Sequence, residues 1–348
     1  MTTENIAVTL IRGDGIGPEI VDCTLTVLDA LGVAFDWDLQ QAGMEAAKEG
    51  GDPLPAATMD SIRRTKLALK GPLTTPVGGG YRSVNVSLRK EFKLFANVRP
   101  ARSLFRGGRF EDVDLILIRE NTEGFYVGVE HFIPIDEDPK AVAEASGIIT
   151  RSACRRIAHF AFEYALRHGR KKITIVHKAN ILKALTGLFL ETALDIGRQY
   201  EGRLLINERI VDNTAMQLVI NPNQFDMLLT TNMFGDILSD EIAGLVGGLG
   251  VAPGANIGAD TAIFEGVHGS APDIAGRGIA NPTAIMLAAA LMLDHLHLSA
   301  PASRLRQAIH TVLQKEGIRT RDLGGQASSG EFTRAVIRQI EALPDHTA

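Results

Sequence analysis

Two aspartates stand four residues apart in a stretch that we predict to be helical, which makes them a candidate site for a divalent cation. Asp236 and Asp240 would share one face of that helix, where two like charges destabilise it unless a cation lies between them. Carboxylate oxygens with no cysteine or histidine beside them favour Mg²⁺ or Mn²⁺ over Zn²⁺. The alternative is a helix N-terminus whose dipole attracts acids, which fits Asp236 better than Asp240.

Two arginines close apolar runs, and each is a candidate for binding a carboxylate. Arg99 stands in the sequence FANVRP, and Arg119 directly follows the apolar residues 115–118. A buried guanidinium is costly unless it meets an anion, and its planar fork binds a carboxylate through two hydrogen bonds. The residues alone leave two interpretations open: a substrate with more than one carboxylate, or internal salt bridges.

A lysine and a tyrosine are candidates for proton transfer. Lys178 comes directly after the apolar residues 173–176, where neighbouring groups could tune it as a base. Tyr126 is one of only four tyrosines in the chain and could donate a proton. For the residues alone, a solvated lysine and a packed tyrosine are the ordinary interpretations.

Two glycine-containing loops are candidates for cofactor contacts. The first loop contains Gly13 and Gly15 but has Pro18 where the dinucleotide fingerprint G-x-G-x-x-G needs its third glycine. We therefore predict a tight turn with positive φ there, and not a Rossmann fold. The second loop, residues 268–276, is rich in small residues, so its backbone amides could approach a phosphate or adenosine closely.

The elements that must position these residues alternate along the chain between short apolar runs and longer helical patterns. We predict strands at residues 6–11, 115–118, 173–176 and 227–230. Helices are predicted from Pro18 to about Leu31, from Asn281 to about Leu298, and from Glu331 to Leu343. This alternation is typical of a layered α/β fold. The chain would cross between two lobes near residues 100–108 and 244–258.

Composition excludes several classes of protein. The 348 residues are 45% hydrophobic and 22% charged, as in an ordinary globular protein. A net charge of -5 argues against a nucleic-acid-binding protein. The sequence contains no run of about 20 apolar residues, so we predict no membrane helix. The two cysteines indicate a reducing compartment, and no signal peptide opens the sequence. We therefore expect a cytoplasmic protein.

Five motifs in this order resemble the β-decarboxylating dehydrogenase family, which includes isocitrate, homoisocitrate and 3-isopropylmalate dehydrogenases. They are GDGIGPE at 13–19, RENTE at 119–123, HKAN at 177–180, NMFGDILSD at 232–240 and HGSAPD at 268–273. The resemblance implies an isopropylmalate dehydrogenase-like two-domain α/β fold. It places residues 1–99 and 250–348 in a large domain and residues 100–249 in a small domain that joins a dimer.

The resemblance also implies a role for each candidate residue. Lys178 would be the base and Tyr126 the proton donor, while Asp212, Asp236 and Asp240 would bind Mg²⁺ or Mn²⁺. Lys178 and Asp212 would reach into the active site of the neighbouring subunit. The substrate-binding residues would be Ser83, Asn85, Arg89, Arg99, Arg119 and Asn180. The cofactor-binding residues would be Leu73, Thr74, Thr75, His268, Gly269, Ser270, Ala271, Pro272, Asp273, Ile274 and Asn281.

Two short segments narrow the expected substrate and cofactor. Ser83 and Asn85 resemble the isocitrate-binding members, whereas a 3-isopropylmalate enzyme would have apolar contacts there. Asp273 and Ile274 resemble NAD-dependent members, because a carboxylate binds ribose hydroxyls and repels a 2′-phosphate. Homoisocitrate or 3-isopropylmalate as substrate, and a non-catalytic regulatory subunit, remain alternatives. The expected partners are isocitrate, NAD and further copies of this chain in a homodimer or larger homo-oligomer.

Overall fold

The computed structural model describes residues 5–76 and 80–343, which divide into two compact units. The first unit contains Met1–Phe92, Pro100–Val113 and Ala243–Ala348, and the second contains Lys93–Arg99 and Asp114–Ile242. The domains expected from the resemblance, 1–99 with 250–348 and 100–249, stay a prediction. The compact units differ from these domains in two ways. Residues 93–99 belong to the second unit and residues 100–113 to the first, and the second unit ends at Ile242.

Strands and helices follow one another along most of the described chain. The strands are β1 (Ile6–Ile11), β2 (Phe35–Gln40), β3 (Leu67–Lys70), β4 (Ala96–Arg102), β5 (Asp114–Glu120), β6 (Gly124–Ile135), β7 (Asp138–Ile148), β8 (Lys172–His177), β9 (Leu205–Ile210), β10 (Met227–Thr230), β11 (Pro253–Ile257) and β12 (Ala262–Gly266). The α-helices are α1 (Gly17–Ala30), α2 (Met44–Gly50), α3 (Ala56–Thr65), α4 (Val84–Glu91), α5 (Arg151–Arg167), α6 (Leu185–Gly197), α7 (Val211–Ile220), α8 (Asn232–Val246), α9 (Thr283–His295), α10 (Ser299–Thr311) and α11 (Ser329–Ala342).

In the first unit the strands pair in the order β2-β1-β3-β12-β11. Every pair is parallel except β11 with β12. Both β3 and β12 are buried along their whole length, so their apolar residues form the centre of this core. The carboxyl ends of β1 and β3 lead directly into the loops that contain Gly13 and Thr74. The predicted α/β class is confirmed.

The glycine turn after β1 has the conformation that the sequence predicts. Gly13 and Gly15 have φ angles of +78° and +59°, and Pro18, within α1, occupies the position where the dinucleotide fingerprint has its third glycine. Pro18 lies in the first turn of α1, where its missing N–H costs no hydrogen bond. The turn is therefore a connector between a strand and a helix, and the fold is not a Rossmann fold.

One predicted helix differs from the structure at its end. Helix α9 ends at His295, whereas the sequence predicted a helix to about Leu298. The reason is local, because His297 has a φ of +60° and α10 begins at Ser299. Helix α11 begins at Ser329, two residues before the predicted start at Glu331, because Ser328 and Glu331 form a capping box.

In the second unit the strand order is β4-β5-β10-β8-β9, and β4 runs across the unit boundary after Arg99. The pairs β5–β10, β10–β8 and β8–β9 are parallel. Parallel strands end at the same edge of a sheet, so Arg119, Lys178 and Asn232 all lie at or just beyond that edge.

Strands β6 and β7 form a separate antiparallel ribbon in this unit. Within the described ranges, no helix combines the length and the apolar character needed to cross a membrane.

Candidate active site

The acidic pair of the second unit lies on α8 and faces a fully buried arginine. Arg119, at the end of β5, has no exposed surface, and its Nη1 lies 2.5 Å from Oδ1 of Asp236. Its Nε and Nη2 donate to Oδ1 of Asn232 at 3.0 and 2.8 Å. Gly235 allows this close packing, because a Cβ there would lie 2.6 Å from Cγ of Arg119. The helix and the strand end thus fix the guanidinium in one orientation.

Arg99 approaches the same two aspartates from β4. Its Nη1 lies 3.3 Å from Oδ1 of Asp240 and its Nη2 3.6 Å from Oδ1 of Asp236, while its Nε donates to Asn97 at 2.6 Å. Burial raises the pKa of Asp240, Arg99 lowers it in part, and Asp236 raises it further. The sequence left two interpretations open for Arg99 and Arg119. In the single chain both arginines form internal salt bridges, with Asp236 and Asp240.

Tyr126 belongs to this cluster as well. Its hydroxyl group donates to Oδ2 of Asp236, and its ring centroid lies 5.3 Å from Cζ of Arg119. Two arginines, two aspartates and a tyrosine predicted from separate motifs therefore meet within one unit. The cluster has both oxygen donors for a cation and a hydroxyl that can move a proton.

Lys178 and Asp212 form a second group in the same unit. The ammonium group of Lys178, after β8, donates to Oδ1 of Asp212 in the first turn of α7. This hydrogen bond lowers the pKa of Asp212. Asn180 is exposed in the turn that follows.

The three predicted metal ligands are not assembled within one chain. Across residues 5–76 and 80–343, no three acidic, histidine or cysteine side chains lie close enough together to bind a metal ion. Asp236 and Asp240 offer hard oxygen donors of the type that Mg²⁺ and Mn²⁺ prefer, and they lie one helical turn apart. A third carboxylate from a second copy would complete such a set, so the assignment of Asp212, Asp236 and Asp240 stays a prediction.

In the first unit, α4 carries the predicted substrate residues. Ser83 caps the helix, and Asn85 and Arg89 lie one turn apart on one of its faces. Arg89 is 8% exposed, and its Nη2 lies 4.0 Å from Oε1 of Glu265. Within the described part of the chain, Nε of Arg89 and Oδ1 of Asn85 are buried without a hydrogen-bond partner. Unsatisfied buried polar atoms are costly, so this face of α4 is suited to a polar ligand.

A buried ion pair beside Arg89 was missed in the sequence. Lys70 ends β3 and Glu265 lies near the end of β12, with Nζ and Oε2 2.7 Å apart. Asn256 also donates to Glu265 at 2.7 Å. Although burial raises the pKa of Glu265, the charges of Lys70 and Arg89 lower it to about 2. The sequence does contain a signal for this pair, because Lys70 and Glu265 are charged residues near the ends of apolar runs, as Arg119 is.

Replacing Glu265 by glutamine is expected to reduce the free energy of unfolding at neutral pH by about 3 kcal/mol, since its pKa falls from 4.5 to about 2 on folding. A depressed folded-state pKa gives stability that is complete above about pH 4.5 and is lost as the pH falls towards 2. Urea unfolding of both proteins between pH 7 and about pH 3 measures the difference. A difference that stays constant down to about pH 3, or one no larger than for the exposed Glu316→Gln, would contradict this assignment.

The two predicted cofactor loops meet in the first unit. Oγ1 of Thr74 lies 2.7 Å from Oγ of Ser270, which joins the segment after β3 to the segment after β12. Leu73 and Ser270 are buried, whereas Thr75, Gly269 and Asp273 are exposed. Burial lowers the pKa of His268, so its imidazole is neutral at physiological pH. Ala271 has a positive φ of 37°, and Pro272 and Ile274 complete the turn.

Asn281 connects this loop region to a further acidic residue. Its Nδ2 donates to Oδ2 of Asp322 at 2.8 Å, and its Oδ1 accepts from the backbone N–H of Thr283 at 2.9 Å. Thr320 also donates to Asp322, and Arg321 is exposed. Asn281 therefore binds a carboxylate and accepts a hydrogen bond from the first residue of α9, and its contact with a cofactor stays a prediction.

Comparison with known proteins identifies what the chain is similar to. A sequence profile of the isocitrate/isopropylmalate dehydrogenase family matches residues 7–338. A crystal structure of isocitrate dehydrogenase from Methylococcus capsulatus has a TM-score of 0.93 and 52% identity, covering 96% of this chain and 99% of that one.

Two curated relatives come from eukaryotes. Isocitrate dehydrogenase [NAD] catalytic subunit 5 of Arabidopsis thaliana is 46% identical over 341 residues, which is 97% of this chain and 90% of that protein. A regulatory subunit of isocitrate dehydrogenase [NAD] from Dictyostelium discoideum is 44% identical over 337 residues, which is 96% of this chain and 91% of that protein. Overall identity therefore does not separate catalytic from regulatory relatives.

The expectation of a cytoplasmic protein is wrong. Both curated relatives are named as mitochondrial proteins. The expectation rested partly on two unpaired cysteines, which indicate only a reducing environment. That property does not distinguish the cytoplasm from another reducing compartment.

Proposed function

Since the chain belongs to the isocitrate/isopropylmalate dehydrogenase family, we propose that it oxidises and decarboxylates isocitrate to 2-oxoglutarate and CO₂ while reducing NAD. The observation that carries the choice of substrate is the polar face of α4. There a buried arginine and an asparagine keep polar atoms without partners in the described residues, next to the capping residue Ser83. A site that must hydrogen-bond its ligand discriminates strongly against an apolar analogue such as the isopropyl group.

Each charged residue of the site has a role in this proposal. Arg89, Arg99 and Arg119 hold the carboxylates of isocitrate, because a guanidinium binds a carboxylate bidentately. For Arg99 and Arg119 this means exchanging Asp236 and Asp240 for the substrate as partners. Asp236 and Asp240, with Asp212 of the partner subunit, would hold Mg²⁺ or Mn²⁺. The bound cation would supply Lewis acidity for oxidation of the hydroxyl group and for decarboxylation.

Two side chains move the protons. Lys178 would take the proton of the substrate hydroxyl group, while bound NAD would supply the hydride acceptor. After CO₂ leaves, the hydroxyl of Tyr126 protonates the enol carbon. Its hydrogen bond to Asp236 already orients this hydroxyl within the cluster. Asn180, in the turn after Lys178, contacts the substrate in this scheme.

The ribbon of β6 and β7 supports the proposal of a homodimer. Seven of its large apolar side chains are exposed in the single chain: Phe125, Val129, Phe132, Ile133, Ile135, Val142 and Ile148. A contiguous exposed apolar surface marks an interface more often than it marks free surface. Light scattering of the purified chain measures the assembly. A monomer at micromolar concentration would contradict the homodimer, and dimers formed only with a second subunit type would favour a heteromeric enzyme.

The test of the proposed function is NADH formation by the purified chain alone, with isocitrate, homoisocitrate and 3-isopropylmalate compared side by side. We expect the highest kcat/KM with isocitrate. One methylene group changes binding by only about 1–3 kcal/mol, so homoisocitrate is the most demanding comparison. A preference for another acid would overturn the substrate, and no turnover without a second subunit would favour the regulatory alternative.

Asp236→Asn is expected to weaken Mn²⁺ binding about ten-fold or more, because a neutral amide replaces one charged oxygen ligand. Electron paramagnetic resonance of free Mn²⁺ measures binding without turnover. Asp226→Asn is the control, since Asp226 accepts hydrogen bonds from the backbone of Lys171 and Lys172 at the opposite end of β8. Equal Mn²⁺ affinity in both variants would refute the role of Asp236.

A further inference from the structure

The glycine turn after β1 contains a buried carboxylate that the proposed chemistry does not use. Asp14 is 3% exposed. Its Oδ2 accepts from the backbone N–H of Thr74 at 2.7 Å, and its Oδ1 accepts from Met44 at 2.9 Å and Glu45 at 3.3 Å. Among the described residues, no lysine or arginine forms an ion pair with it. Burying a carboxylate is costly, and here the hydrogen bonds from backbone N–H groups offset the cost, with a weaker electrostatic contribution from Lys48.

The backbone of the same turn contacts both predicted cofactor loops. The N–H of Asp14 donates to the carbonyl of Pro72 at 2.7 Å, and the N–H of Ile16 donates to the carbonyl of Ser270 at 2.9 Å. A Cβ on Gly15 would lie 2.0 Å from that carbonyl oxygen, so only glycine permits this approach. The turn is thus packed directly against residues 71–76 on one side and the loop after β12 on the other.

Thr74 is held at each of its polar groups as a result. Its N–H donates to Asp14, its carbonyl accepts from the hydroxyl of Tyr81 at 2.9 Å, and its hydroxyl pairs with Ser270. These three anchors come from three separate segments of the chain. Of the three, only the Asp14 carboxylate is charged, and a hydrogen bond to an ionised acceptor is the stronger kind.

We propose that Asp14 is a positioning residue for NAD, which fixes Thr74 and thereby the spacing of the two cofactor loops. The inference rests on the proposed function, because it takes the loops at 73–75 and 268–274 as the NAD-binding loops. Asp14 does not contact the cofactor itself. It acts through the backbone of Thr74 and through the close approach of Gly15 and Ile16 to Ser270.

Asp14→Asn tests this proposal because it keeps the shape of the side chain. The new NH₂ group faces a backbone N–H, so one of the three amides loses its acceptor. We expect the Kd of NADH, measured by its fluorescence without turnover, and the KM of NAD to rise about ten-fold. The KM of isocitrate is expected to change less than about two-fold, since its proposed ligands do not contact Asp14. Deuterium exchange of the peptide containing Thr74 is expected to become faster.

Asp226→Asn is the control for lost stability, because Asp226 accepts two backbone N–H groups, at 2.6 and 2.9 Å, and pairs with Arg170 at 3.1 Å, but lies in the second unit. Both variants are expected to lose stability, and only Asp14→Asn is expected to change NADH binding. If Asp14→Asn does not fold, Tyr81→Phe removes a second anchor of Thr74 at a half-buried position and is expected to raise the Kd of NADH in the same direction.

Unchanged NADH binding in the folded Asp14→Asn variant, or in Tyr81→Phe when the former does not fold, would overturn the proposal. An equal loss of NADH binding in Asp226→Asn would also overturn it, because the effect would then follow from stability alone. The proposed function fails separately: if the wild-type chain binds NADH but does not oxidise isocitrate, a selective effect of Asp14→Asn on NADH binding still supports the positioning role.

Discussion

Replacing Lys178 by methionine is expected to lower kcat for isocitrate oxidation by about 10²–10⁴-fold, the usual effect of removing a general base. Decarboxylation of an added β-keto acid intermediate is expected to change less, because that step needs no proton from the substrate hydroxyl. Lys183→Met is the control, since Lys183 is an exposed lysine close by in the sequence. Near-normal turnover of Lys178→Met would refute its assignment as the base.

Mixing Lys178→Met with Tyr126→Phe subunits tests whether two chains share each site. Each variant alone lacks one proton-transfer group in both sites of a homodimer. If the base and the donor of one site come from different chains, a mixed dimer regains one complete site. Equal mixing would then restore about a quarter of the wild-type activity, because about half of the dimers are mixed and each has one good site. No recovery after refolding together would place both groups on one chain.

Part of the fold was predictable because some elements have a local signal. The apolar runs that became β1, β5, β8 and β10 are short and end in polar residues or turns, and Pro18 lies in the first turn of a helix at the expected place. The end of α9 was less predictable. The positive φ of His297 that separates it from α10 has no signal as clear as a glycine.

Which anion would meet each buried arginine could not be predicted from the sequence. The position of Arg119 at the end of an apolar run required a partner, but the partner came from α8, more than a hundred residues away. Pairing of this kind depends on the tertiary structure. The same rule, applied consistently, would have identified Lys70 and Glu265, which are also charges near the ends of buried strands.

Asp14 shows a different limit of the sequence. Its carboxylate accepts hydrogen bonds from the backbone N–H groups of Met44, Glu45 and Thr74. Nearly every residue type has a backbone N–H group, so the sequence does not indicate which ones will act as donors. The failed dinucleotide fingerprint correctly excluded a Rossmann fold, but it gave no reason for an acid between two glycines. Only the folded chain shows that the turn meets two loops that are about 200 residues apart in sequence.

The chain is expected to prefer NAD over NADP by about 100-fold or more in kcat/KM, because placing like charges together costs several kcal/mol. Asp273 is the residue that we expect to face the adenosine ribose, and it is exposed in the single chain. Its carboxylate would accept hydrogen bonds from the ribose hydroxyls and repel a 2′-phosphate. Arg321 is exposed as well, while Asp322 is bound by Asn281 and Thr320.

Two variants separate attraction from repulsion at Asp273. Asp273→Asn keeps an acceptor for the ribose hydroxyls but removes the charge, so kcat/KM with NADP is expected to rise more than kcat/KM with NAD falls. Asp273→Lys together with Ile274→Tyr adds a cation for the 2′-phosphate and is expected to move the ratio further towards NADP. Asp29→Asn, an exposed acid on α1, is the control for net charge. Equal kcat/KM values for the two cofactors in the wild-type chain, or a ratio that Asp273→Asn leaves unchanged, would refute the role of this carboxylate.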